Sequence, residues 1–178
     1  MKKLFPFLIV TVLGFAIISC ERTEYVDNPD STTVDYPAVY DKTVNLSKIN
    51  TTNNFLLGYN FAFNNNLLNQ DIVLVYRKSN PTENAPIWVP LPKTYFPTQG
   101  TMDYTFDFTV SDVQIYLDAD FDLTVQNSDF NREYVNNQTF RLVLVPAVFG
   151  KNATDLSKLS YEEIIRKYNI DDSKVGKL

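Results

Sequence analysis

Histidine is absent from the 178 residues, and cysteine occurs once, at Cys20. Without histidine the chain lacks the commonest general base and the commonest metal ligand. No Ser-His-Asp or Cys-His arrangement exists. A single thiol makes neither an internal disulfide nor a thiolate metal site, so stability must come from packing. Glycine is scarce, with five residues in all, and none sits in a loop of the kind that cradles phosphate. Lysine and arginine number 16 against 21 aspartates and glutamates. That acidic balance argues against nucleic acid and against a basic, membrane-hugging surface. Beyond residue 20 no apolar run approaches the roughly twenty residues that cross a bilayer.

The one long apolar stretch comes first. Lys2 and Lys3 precede a largely apolar Leu4–Ile18, and Ser19 stands before Cys20. This is the order of a charged n-region, an h-region and a small residue at a processing point. At about fifteen residues, interrupted by Pro6 and Gly14, the stretch falls short of a span. It resembles the class II signal peptides of bacterial lipoproteins, with Ile17 where leucine is usual and Ser19 in its expected place. The resemblance implies a signal peptide over 1–19, diacylglycerol on the Cys20 thiol, cleavage before it and acylation of the new amine. Two or three acyl chains anchor stably where one is marginal. Removing residues 1–19 takes away two lysines and no acid, leaving 14 minus 21, or −7. The remaining length fits one domain with a core of its own.

Residues 20–41 read as a flexible tether. Glu21, Glu24, Asp27, Pro29, Asp30, Asp35 and Pro37 dominate it, and its few apolar residues have no period. Such a length can hold a domain tens of ångströms off a bilayer. From 42 to 178 the chain turns strand-like. Val44, Leu46 and Ile49 suggest a first strand. Phe55, Leu57, Tyr59, Phe61 and Phe63 follow at period two, the mark of a strand with one buried face. Gly58 inside it marks a bulge or a close backbone approach. Asp71–Tyr76 is a compact apolar run suited to a sheet centre. Pro81, Pro86, Pro90, Pro92 and Pro97 then favour an edge strand or a long excursion. Met102, Tyr104, Phe106, Phe108 and Val110 share a face opposite Asp103, Thr105, Asp107 and Thr109. Val113, Ile115 and Leu117 point inward from another strand, Phe121, Leu123 and Val125 suggest a short one, and Thr139–Val145 completes the set. The expected fold is all-β, an antiparallel β-sandwich, immunoglobulin-like or related. A short C-terminal helix is expected to follow, capped by Ser160, acidic early at Glu162 and Glu163 and basic late at Arg166 and Lys167. Ile164, Ile165 and Tyr168 give it one apolar face, predicted to cross an open end or an edge of the sheet.

Candidate chemistry is sparse. Asp118, Asp120 and Asp122 form the densest acid cluster, and hard cations such as calcium take oxygen ligands. The EF-hand loop is absent, however, and acids alternating on a strand also lie side by side on a solvated face. No cofactor is therefore expected, with those three aspartates as the calcium candidates. Asp103 and Asp107, on one face of an assumed strand, would be roughly 13 Å apart by strand rise, more than glycosidase carboxylates use. A carboxylate-dependent hydrolase is the last-ranked reading, and the chain is not expected to be an enzyme. Among the aromatics, Tyr40, Trp88, Tyr95, Phe96, Tyr116 and Tyr134 are possible surface platforms. Trp88, Tyr95 and Phe96, in turn-rich surroundings, are the ligand-binding candidates, against the plainer reading that Trp88 plugs the end of the sandwich.

Five blocks in order carry a second resemblance: Asp71–Tyr76, Ile87–Pro92, Tyr104–Thr109 with Asp112 and Val113, Phe140–Ala147, and Leu159–Ile164. Over most of residues 43–168 the chain resembles a family of small, uncharacterised lipoproteins of Bacteroidota. Many relatives carry a collagen-like Gly-Pro segment behind the lipid cysteine, where this chain has Glu21–Pro37. The resemblance implies a lipidated β-domain on the outer membrane, with the periplasmic or cell-surface side open, and no site residues to transfer. A non-catalytic binding or accessory role in the envelope is the expectation, with a glycan-binding surface module as the alternative. The expected partners are the membrane, through the lipid, and an envelope protein or a glycan, not nucleic acid.

Overall fold

The computed structural model describes residues 38–69, 71–79, 86–145, 156 and 159–176. Cys20, the leader and residues 20–37 of the expected tether lie outside the described residues, as do Pro81 and the 146–155 stretch. The strands are β1 (Ala38–Val44), β2 (Ser47–Lys48), β3 (Leu56–Ala62), β4 (Ile72–Ser79), β5 (Ile87–Pro90), β6 (Lys93–Tyr95), β7 (Met102–Phe108), β8 (Asp112–Ala119), β9 (Gln138–Val145) and β10 (Val175–Gly176). Helix α1 (Ser128–Tyr134) precedes β9 and α2 (Tyr161–Tyr168) follows it.

The strands form two five-stranded sheets, a front sheet ordered β10-β1-β9-β4-β5 and a back sheet ordered β2-β3-β8-β7-β6. Every pairing is antiparallel except the short β1–β10 contact. The two sheets face each other as a β-sandwich. Strand β1 begins at Ala38, so residues 38–41 of the expected tether belong to the front sheet, with Asp41 opposite Arg141.

Period-two patterning places the core. Leu57 and Phe61 of β3, Tyr104 of β7 and Val113, Ile115 and Leu117 of β8 point inward from the back sheet. They meet Val73, Val75, Phe140, Leu142 and Leu144 from the front sheet. Gly58 lies between two inward neighbours and points out. A Cβ there would collide with the Ile115 carbonyl oxygen and come within 3.2 Å of Ile49 Cγ2, the close approach foreseen for that position.

The front sheet is buried on its other face too. Val39, Tyr76, Val143 and Val145 pack against Tyr161, Ile164, Tyr168 and Ile170, so α2 forms a third layer. Every residue of β9 except Thr139 is therefore buried, which explains why Phe140–Val145 reads as a continuous run rather than an alternation. Helix α2 lies across a sheet face and not across an end or an edge, because two apolar rows, one per face, emerge from β4 and β9. Its boundaries follow its caps. Ser160 Oγ accepts from Glu163 N at 3.2 Å, Glu163 Oε2 accepts from Ser160 N at 2.8 Å, and Asn169 ends the helix at φ 50°, the left-handed stop that asparagine tolerates.

Two elements differ from the sequence expectation. Leu123–Val125 is a turn of 3-10 helix instead of a strand, because the Asp122 carboxylate takes the Thr124 N–H that a strand would need. Helix α1 was not foreseen. Asn127 caps it by accepting from Phe130 N at 2.9 Å, and Phe130 is its single buried residue.

Candidate functional site

The three aromatic candidates fall in three environments. Trp88 sits on edge strand β5, opposite Lys78, and faces outward under α2. The Arg141 guanidinium carbon lies 4.2 Å from the centre of its ring. Arg141 is itself fixed by a two-pronged contact with Asp41, Nε to Oδ1 and Nη2 to Oδ2, both 2.7 Å. The Tyr161 hydroxyl donates to Asp172 at 2.7 Å, and its ring meets Tyr76 edge-on at 5.1 Å. Trp88 therefore neither plugs the end of the sandwich nor offers a free platform. It is part of the clamp that holds α2 to the sheet.

Tyr95 lines the interior at the end of β6. It surrounds Arg77 together with Tyr104 and Tyr134, whose ring centres lie 4.9 and 5.7 Å from the guanidinium carbon, against 5.3 Å for Tyr95. Arg77 is buried, with 5% of its surface exposed. It donates to Gln138 Oε1 from Nε at 2.9 Å and from Nη2 at 2.6 Å, to the Tyr95 hydroxyl at 3.2 Å, and to the Glu133 carbonyl. Among the described residues no carboxylate pairs with it. Three π-faces and neutral oxygens take that role. Burial raises the Tyr104 hydroxyl far above its ordinary value and pushes Tyr134 up to about 12, so both remain neutral, and the Tyr104 hydroxyl donates to the Tyr134 carbonyl.

Phe96 is different, with 79% of its surface exposed. It opens the β6–β7 loop, one of three segments that are hydrogen-bonded to one another at one end of the sandwich. The β2–β3 loop contributes Phe55, and the segment after β8 contributes Val125, which is 74% exposed. The loops are stitched together by hydrogen bonds. Ala119 N donates to the Phe55 carbonyl at 2.9 Å, Leu123 N to Asn54 O at 3.0 Å and Asp120 N to Thr101 O at 3.1 Å.

Two of the calcium candidates do this stitching with their side chains. Asp120 Oδ1 accepts from Thr101 N at 2.9 Å. Asp122 accepts from Thr124 N at 2.8 Å, the Thr124 hydroxyl at 2.6 Å and Asn54 Nδ2 at 2.8 Å. The Thr124 bonds, then Asn54, hold the Asp122 carboxyl below the usual carboxylate value. Asp118 points outward from β8, across from Asp103. The three do not converge, and among the described residues no group of three acidic side chains is placed to hold a metal ion. The strand that would have aligned them ends at Ala119.

This loop end lies opposite the end where the chain enters the front sheet. Val44 pairs with Gln138 at the far end of β1 from Ala38. Leu46 N then donates to Val135 O at 2.9 Å, and the Phe121 ring packs on Phe130 of α1 at 5.7 Å. At the Ala38 end, Leu67 N donates to Val110 O at 2.7 Å in the β7–β8 turn, and Ile72 pairs with Val145.

The sequence pointed to Phe96 but not to Phe55 or Val125. The available signal was Asp122-Leu-Thr124, whose spacing makes an Asx turn that lifts the following side chain out of a strand pattern. Elsewhere, an apolar cavity of about 180 Å³ is lined by Leu74, Tyr76, Pro90, Leu91, Leu156 and Leu159 among others, with no carboxylate or amine among the described lining residues. Among the described residues no helix is long and apolar enough to cross a membrane. No family model, no curated protein and no solved structure matches this chain.

Proposed function

We propose that the chain is an envelope lipoprotein, held to the outer membrane by acyl chains on Cys20, whose β-sandwich is a non-catalytic binding domain that uses its loop end. One observation carries this reading. The chain enters the sandwich at Ala38, and the three joined loops bearing Phe55, Phe96 and Val125 stand at the other end. A tether on the first strand leaves that end free to meet a partner. Exposed apolar side chains on loops that are hydrogen-bonded to one another bind with little ordering cost, and loops on a rigid scaffold are where binding residues concentrate. The absence of histidine, together with carboxylates occupied in loop hydrogen bonds, supports a role without catalysis.

The test has two arms in whole cells. Cys20→Ala is expected to abolish acyl labelling and release the protein from the membrane fraction. Photo-crosslinking residues placed at 96 and 125 are expected to capture the same partner, while one at Glu162 on α2 captures none. Crosslinks from 162 that equal those from 96 and 125 would sink the assignment of the loop end. Protease treatment of intact cells then assigns the domain to the cell surface if it is digested, or to the periplasm if it survives until lysis.

A further inference from the structure

The outer face of the back sheet carries no covering layer among the described residues, unlike that of the front sheet. Its rows follow from the strand registers. Asn60, Gln114 and Asp107 form one row, Gly58, Tyr116 and Thr105 the next, and Leu56, Asp118, Asp103 and Thr94 a third, with Asp112 opposite Ala62. Four carboxylates therefore share this face, and the outward positions of β2, β3, β6, β7 and β8 hold no lysine or arginine. Their hydrogen-bond donors are neutral. Tyr116 donates to Asp107 at 2.8 Å, Asn60 to Asp112 at 3.0 Å, and the Thr94 and Thr109 hydroxyls to Asp103 and Asp112.

Four acids elsewhere are paired with cations. Asp41 and Asp172 pair with Arg141, Asp129 with Arg132, and Asp171 with Lys174. The back-sheet face differs in setting four carboxylates on one flat surface, none of them in an ion pair among the described residues. Asp103 and Asp118 stand directly opposite each other on neighbouring strands, an arrangement of like charges that opposes folding. Among the described residues no ion pair offsets it.

We propose that this face docks an extended lysine- or arginine-bearing segment of a protein partner, with Tyr116 at its centre stacking against one of the cations. Charge complementarity selects a cationic occupant. Spacing selects an extended chain: carboxylates on β7 recur at about 13 Å, and an extended segment presents one face every two residues, about 6.7 Å, so alternate or every fourth side chains meet them. A half-exposed phenol ring is suited to a guanidinium or ammonium above it. This surface is distinct from the loop end, and the two assignments stand or fall separately.

The probe is a synthetic octapeptide of alternating lysine and threonine, titrated against the full-length protein in neutral detergent at low salt. Saturable binding that weakens as salt rises is expected. Replacing Asp103, Asp107, Asp112 and Asp118 together by asparagine is expected to weaken it at least tenfold, and Tyr116→Ala about threefold. A control removing three acids elsewhere (Asp129→Asn, Glu162→Gln, Asp171→Asn) should change affinity less than twofold. The single change Asp118→Asn should weaken binding and at the same time raise Tm by relieving the opposed charges, a readout that does not depend on the fourfold variant folding. Equal losses in the control and the face variants would overturn the proposal in favour of general electrostatics. So would equal competition by spermine, or displacement of the peptide by a neutral oligosaccharide, which would make the face a small-polycation or glycan surface instead.

Discussion

At the residue scale, the side chains that matter most are those whose partners are unusual. Arg77 is a buried cation balanced by three tyrosine rings, an amide and a carbonyl. Lysine has one point charge in place of a planar fork, so Arg77→Lys is expected to cost about 2 kcal/mol or more in urea unfolding, the price of leaving Gln138 and the Glu133 carbonyl short of donors. Gly58→Ala should destabilise by about 1–3 kcal/mol, since the new methyl meets the Ile115 backbone and not a yielding side chain. The pH dependence follows from Asp112 and Asp122. Thr109 and then Asn60 hold Asp112 below the ordinary carboxylate value, as the Thr124 bonds hold Asp122. A lowered folded-state pKa means that the unfolded chain binds protons first, so their contribution is present above about pH 4 and is lost as the pH falls below it. Thermal melts from pH 6 to pH 2 should show this loss, with a shallower acid limb in Asp122→Asn. An unchanged limb would show that the Asp122 hydrogen bonds are not formed in solution. The sequence announced Gly58 through its break in an aromatic run, but it had no way to announce the three tyrosines around Arg77, which come from two separate strands and a helix.

At the element scale, β3, β7 and β8 were legible because each carries its apolar residues at period two, and β4 and β9 because each is a compact apolar run. Helix α2 was legible because acid, apolar and basic residues stand at their helical places around Ser160. Its docking position was not. The apolar rows of β4 and β9 are continuous, and a continuous row shows that both faces are covered without saying which element covers them. Helix α1 was missed although Asn127, Phe130 and Tyr134 have cap and i, i+4 spacing, because seven residues make too short a pattern to stand out from a turn. The aromatic candidates were separated by topology: the chain crosses from one sheet to the other between β5 and β6, which parts Trp88 from Tyr95, and β6 ends at Tyr95, which leaves Phe96 on the loop. Ser160→Ala removes one half of the capping box and should cost about 1 kcal/mol. That loss should appear first as faster hydrogen exchange in Tyr161–Tyr168, ahead of any change in the strands. Uniform acceleration through both sheets would mean that α2 does not open as a separate unit.

At the scale of the whole molecule, three layers divide the stability unevenly. Strand β9 has partners on both sides and cover on both faces, so its amides should be the last to exchange, with β2 and β6 among the first. The same arrangement bears on how the domain carries load. Strand β1, the first of the sandwich, is paired with β9 over its full length, from Ala38 opposite Leu144 to Val44 opposite Gln138. Its interstrand hydrogen bonds run perpendicular to the strand. If a tether pulls at Ala38 while a partner holds the loops at the far end, tension runs along β1 and loads all of those bonds together in shear, instead of opening them one after another like a zip. The Arg141–Asp41 contact crosses the same seam. Single-molecule extension between Ala38 and the loop end should therefore need a much larger force than pulling β5 sideways from its edge.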